Sequence, residues 1–351
     1  MTRTPQAWRS LGIALTGVLF VSATLALVLT AGGFDVGTAG AALLRGAAGS
    51  PDAVFSATLV RAVPLILAGL AVAIAFQAGI LNIGAEGQLL AGAAAATATA
   101  LALEPSLGRG ALVMGLLASG IAGGAWAAVP AWLRRRFGVL EVISTIMMNF
   151  IALYAVGFLV RGPLQEASRI YPQSPTIPEA ARLPLLLPGT RLHVGFALAL
   201  VAVAIAWYVL RHTAAGFRVR VVGASPSAAA SAGRLNVPAV TMRAFLVSGL
   251  LAGVAGGVEV HGVTYALYDN LSPGYGYTAI AVALLGGLQP PYVLASGIFF
   301  GALEAGAAAM QRDAGVPLML VWVIEALIIL AIVAGQVVNA RRRLMSVEAG
   351  A

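Results

Sequence analysis

Phe76-Gln-Ala-Gly-Ile-Leu-Asn-Ile-Gly-Ala-Glu-Gly-Gln88 decides how the chain is read. Apolar runs at residues 57–76 and 89–103 flank it, and it gathers a carboxylate, amides and glycines into one short segment. As a turn between membrane helices it would use Gly79, Gly84 and Gly87 as ordinary punctuation. Alternatively it lies at membrane depth, where irregular polar backbone is tolerated only when protein buries it or it lines a watery cavity. A carboxylate there is costly and marks function by default. Glu86 alone fits both readings, whereas the whole segment favours a place on a transport path.

The composition supports a membrane setting. The 351 residues are 60% hydrophobic and 10% charged, with mean hydropathy +0.93. Soluble domains carry about 25% charged residues, so the expected class is an all-α polytopic membrane protein. The net charge of +8 comes from arginine, because the sequence has no lysine. In such a chain that excess reads as orientation by the positive-inside rule, not as nucleic-acid binding. Without lysine there is no P-loop lysine, Schiff base or Ser–Lys dyad. Without cysteine there are no disulfides, thiolate metal sites or thiol nucleophiles. His193, His212 and His261 are dispersed and form no metal-binding pattern. No catalytic residue, cofactor or metal is expected.

Working outward, the first span is expected within residues 10–31, where the apolar run at 11–30 is too long for a cleaved signal peptide. Residues 31–56 read as an external loop. Spans two to six fall in residues 57–210, and Arg134-Arg135-Arg136 marks the inner face. Glu141 and Asn149 share one face of the fifth. The loop at 161–191 carries Pro163, Pro172, Pro175, Pro178, Pro184 and Pro188, a density suited to extended structure and an external docking surface. Residues 211–243 form a cytoplasmic connection, and spans seven to ten follow at 244–338. Within these, residues 278–288 are too few to cross and read as a half-span. The result is about ten helices in one domain with both termini cytoplasmic. A Gly/Ala-rich span, a polar break and a short apolar segment recur at 69–100 and 248–288. That order suggests an inverted five-helix repeat, a transporter signature.

The cytoplasmic connection contains a short helix signal. Ser225 is a good N-cap, Pro226 suits the first helical position, and Gly233 can end the helix in a left-handed conformation. Ala228 and Ala229 lie inside it, Arg234 follows, and the helix is expected to face solvent.

Several stretches together resemble permease subunits of bacterial ATP-binding-cassette (ABC) importers of the nucleoside/simple-sugar branch, related to branched-chain amino acid and ribose permeases. They are Asn82-Ile-Gly-Ala-Glu-Gly-Gln88, Glu141-Val-Ile-Ser-Thr-Ile-Met-Met-Asn149, Ser248-Gly-Leu-Leu-Ala-Gly-Val-Ala-Gly256 and Gly276-Tyr-Thr-Ala-Ile-Ala-Val-Ala-Leu-Leu-Gly286. The resemblance covers residues 57–334. It departs at Leu140, Gly287, Leu288 and Glu325, which bears on the substrate. It implies a multi-pass protein of the cytoplasmic (inner) membrane that imports a small-molecule substrate, most plainly a nucleoside or riboside, by alternating access. The implied partners are a second related permease, a cytoplasmic ABC ATPase and an external substrate-binding lipoprotein. The helix at Ser225 matches the place where such permeases enter the ATPase. Asn82, Glu86, Gln88, Asn149 and Glu259 are the pathway candidates, their amides and carboxylates suited to hydroxyls or base edges. The rival is a proton-coupled secondary transporter using Glu86, Glu259, Glu304 and Glu325 as a relay.

Overall fold

The computed structural model describes residues 23–330, apart from residues 25, 232–234, 318–319, 321, 324–325 and 328–329. Most of the expected first span, most of the last, and the calls on Gly233, Arg234 and Glu325 lie outside the described residues. Helices dominate the rest: α1 Val36–Ala48, α2 Leu59–Gln77, α3 Ala85–Leu107, α4 Gly110–Phe137, α5 Glu141–Arg161, α6 Gly195–His212, α7 Ala214–Ala224, α8 Pro226–Ser231, α9 Val237–Glu259, α10 Tyr275–Leu285 and α11 Pro290–Ala314. Seven helical segments are long and apolar enough to cross a membrane among the described residues.

Two compact units divide the chain. The smaller comprises residues 1–54 and 302–351. In it, Ala39 and Ala42 of α1 cluster with Leu29, Ala307, Met310 and Val316, and Arg45 pairs with Asp313 at 3.6 Å. The expected external loop at 31–56 is therefore largely helical. Asp35 caps α1 by accepting the Thr38 N–H at 2.6 Å, so alanine-rich sequence with one N-cap forms a helix despite its glycines.

The larger unit, residues 55–301, is built around α2 and α9. From Ala62 to Ala75 α2 is apolar on all sides and every residue is buried, as a helix at the centre of a bundle should be. α9 lies against α2, α3 and α4. Its contacts use glycine where backbones nearly touch. A Cβ on Gly256 would overlap the Leu89 carbonyl, and one on Gly123 would overlap that of Gly249. Close approach through small residues is how helices associate without a hydrophobic driving force in lipid. α4 and α5 turn large apolar residues outward instead, among them Ile121, Phe150, Tyr154 and Phe158.

The connection at 211–243 holds more structure than one short helix. α7 precedes α8, and α9 begins at Val237, so the helix is longer than the apolar run expected from residue 244. Ser225 caps α8 by accepting the Ala228 N–H at 3.3 Å. Ala229 is buried at 1% exposure, whereas Ser227, Ala228 and Ala230 are exposed. The helix therefore faces solvent along most of its surface, while Ala229 turns inward.

Candidate functional site

The opening segment folds as an irregular connection between α2 and α3. Gly79 takes φ +75°, which glycine accepts without a Cβ penalty, and the chain stays irregular until α3 starts at Ala85. A second break, residues 265–274, separates the π-helical turn Val260–Thr264 from α10. The starts of α3 and α10 meet: a Cβ on Gly276 would overlap the Glu86 backbone nitrogen. Two helix N-termini with unpaired N–H groups and like-signed dipole ends thus converge, which is unfavourable unless acceptors intervene.

The motif side chains are those acceptors. Glu86 Oε2 accepts the Gly276 N–H at 2.7 Å, capping α10. Asn149 Oδ1 accepts the Gly87 N–H at 2.8 Å, capping α3 from α5. The Asn149 amide also donates to the Ile83 carbonyl at 2.9 Å and contacts the Tyr277 hydroxyl at 3.3 Å. Asn82 donates to Gln88 Oε1 at 2.9 Å and Ser248 Oγ at 2.8 Å, while its own oxygen accepts from the Gly84 N–H and from Gln88. Ser272 Oγ accepts the N–H groups of Gly274 and Tyr275 at 3.1 and 3.0 Å, adding a second cap to the start of α10. Each polar group at the junction has a partner, as burial demands.

Asn82, Glu86, Gln88 and Asn149 are thus brought together, with exposures of 0%, 7%, 1% and 2%. They hold the backbone from within, and the group of this cluster that reaches the surface is Tyr277, 44% exposed. Glu259 stands apart at the end of α9, buried. Sequence reading overlooked Ser248, Ser272 and Tyr277 as site residues. Ser248 and Tyr277 lie inside quoted motifs, which was the available signal.

The proline-rich loop is tied to the second break. The Ser174 N–H donates to the Leu267 carbonyl at 2.7 Å and the Ile177 N–H to that of Tyr265 at 2.7 Å. Arg182 lies over the Tyr265 ring at 4.6 Å, and the Leu183 N–H donates to the His261 carbonyl at 2.9 Å. His193 Nδ1 accepts the Gly195 N–H at 3.2 Å, and burial together with the Arg191 charge lowers its pKa to about 4. That imidazole is neutral above pH 5. Among the described residues no group of His, Cys, Asp and Glu is placed to hold a metal.

Broken helices meeting inside a bundle of apolar spans define an integral membrane protein of transporter type. Comparison with known proteins makes this specific. Residues 54–334 match the family model for the permease component of branched-chain amino acid transport systems. A glucose ABC transporter permease of Haloferax volcanii is 40% identical over 79% of this chain and 75% of its own length. A guanosine ABC transporter permease of Bacillus subtilis is 37% identical over 91% of both chains. A nucleoside ABC transporter permease of Lactococcus lactis subsp. cremoris is 32% identical over 76% of this chain and 75% of its own. The chain belongs to this permease family and is the membrane-spanning permease subunit of an ABC importer, embedded in the cytoplasmic membrane.

Proposed function

We propose that this permease passes nucleosides, with ATP hydrolysis supplied by a separate ATPase and substrate delivered by an external binding protein. The observation that carries the reading is the similarity along 91% of both chains to a guanosine permease. The glucose permease is more identical over a shorter stretch, and it supplies the second reading, a free sugar. Tyr277, exposed beside Asn149, supports the first, because an aromatic face can stack on a nucleobase.

The residues divide the work. Asn82, Glu86, Gln88 and Asn149 fix the two helix starts, and movement of α10 against α3 opens or closes the path. Glu259 lies further along it, near the proline-rich loop. That loop exposes Ile170 and Tyr171 and is bonded to the segment leading into α10, so a binding protein docked there would act directly on the junction. At the other end Ser225, Pro226, Ala228 and Ala229 build the helix that enters the ATPase. The outward face of α5, carrying Met147, Phe150, Tyr154 and Phe158 beside Tyr277, is the surface for a second, related permease. About ten spans, cytoplasmic termini and an inverted five-helix repeat complete the reading. The paired breaks before α3 and α10 favour the repeat.

Competition distinguishes the substrates. In cells carrying the whole importer, unlabelled guanosine or another nucleoside in tenfold excess over labelled guanosine is expected to reduce label uptake by about 90%, the isotope dilution of a shared saturated site. Glucose at the same excess is expected to leave uptake unchanged. Competition by glucose without competition by nucleosides would move the assignment to a sugar.

A further inference from the structure

A separate feature lies on the membrane-facing side of α6, α7 and α9. There a groove of about 370 Å³ is lined by Ile205, Val209, Val247 and Leu250, with Arg218 and Arg243 in its wall. Both arginines are exposed, no carboxylate lines the groove, and neither arginine forms an ion pair among the described residues. Residues 180–258 contain no Asp or Glu, so this charge has no counter-ion in its own stretch of chain. Trp207 and Tyr208, packed on His212, sit at the end of α6, and Phe217 of α7 is 56% exposed. Aromatic residues at a helix end mark the membrane–water boundary, and basic pockets between helices on the cytoplasmic side suit anionic lipid headgroups.

We propose that this groove seats an acyl chain of an anionic phospholipid whose phosphate is held by Arg218 and Arg243. The apolar wall accepts the chain, and the two guanidinium groups supply the charge that a zwitterionic lipid matches poorly. The lipid would bridge α7 and α9, steadying the base from which α8 projects. Only its assignment to the cytoplasmic leaflet rests on the orientation given above.

The test uses the intact importer complex in nanodiscs holding equal phosphatidylglycerol and phosphatidylcholine. Mass spectrometry of lipid retained after extraction in mild detergent is expected to show phosphatidylglycerol favoured about tenfold, since each basic residue contributes appreciably at a membrane surface. The combined R218Q and R243Q variant is expected to bring that preference close to one. Ile205→Trp, which fills the groove, is expected to reduce both retained lipids, and millimolar glycerol phosphate is expected to displace neither. Equal retention by the wild type, or an unchanged preference in the double variant, overturns the proposal. So does displacement by glycerol phosphate, which would identify a site for free phosphates. Loss of the ATPase from the double variant with lipid retention unchanged would also overturn it, assigning the arginines to subunit docking. The readout does not depend on uptake, so its failure is distinct from a failure of the nucleoside reading.

Discussion

The Ala230→Pro variant is expected to reach the membrane at wild-type abundance and to import nothing measurable. α8 has only six residues, Pro226–Ser231, and depends on its cap at Ser225 and on the Ala229 N–H bond to the Ser225 carbonyl at 3.0 Å. Ala230 lies four residues beyond Pro226, so its N–H is an intrahelical donor. Proline there removes that donor and clashes with the preceding turn, at about 3 kcal/mol. A helix so short has little intrinsic stability to absorb the cost. Position 230 is exposed, so the change spares the packing that proline at the buried Ala229 would disturb. Immunoblotting of membranes separates abundance from uptake. ATPase stimulation by substrate-loaded binding protein is expected to vanish with it. Wild-type uptake with normal stimulation would remove α8 from the coupling path.

The second large effect concerns Glu86, where two substitutions are expected to diverge. Glu86→Ala leaves the Gly276 N–H without its acceptor in a buried site, a cost of about 1–3 kcal/mol. The two helix starts would also face each other without the carboxyl that offsets their dipole ends. Uptake by this variant is expected to fall about tenfold or more, accompanied by earlier thermal unfolding in detergent. Glu86→Gln keeps an acceptor oxygen at nearly the same place and gives up only the charge, a loss of about 2 kcal/mol at most. It is expected to keep near-normal abundance and retain most uptake. If Gln is as inactive as Ala at normal abundance, the carboxyl itself and not only its acceptor oxygen is required for transport.

These effects also show how much the sequence made legible. The apolar runs at 57–76, 89–103 and 111–133 became helices because a continuous apolar face has few other ways to satisfy its backbone in lipid. The short run before Pro290 became a helix of half the usual crossing length, as its residue count requires. α7 was missed: Phe217-Arg-Val-Arg-Val-Val alternates like a strand, and Gly216 and Gly223 weaken a helical reading. Its glycines are there because α7 presses on neighbouring backbone, a Cβ on Gly223 overlapping the Gln77 carbonyl, and no local pattern encodes that. α1 was read as loop because its apolar stripe is short and interrupted.

At the site, residue types announced a polar junction, but not what each side chain would do there. Asn82 and Asn149 read equally as ligands for a passing solute and as caps. The choice depends on Gly87 and Gly276, whose missing side chains let α5 and α3 approach each helix start within hydrogen-bonding distance. That approach joins residues far apart in the chain and is invisible to spacing. Glu259 carried the same residue-type signal as Glu86, yet sits buried at the end of α9 rather than at the junction.

The most direct test of the account is labelled guanosine uptake into proteoliposomes containing the complete importer, with binding protein outside and ATP enclosed. Uptake is expected to require ATP hydrolysis and to persist when an ionophore collapses the proton gradient. Uptake that proceeds without ATP and stops with the ionophore would contradict it.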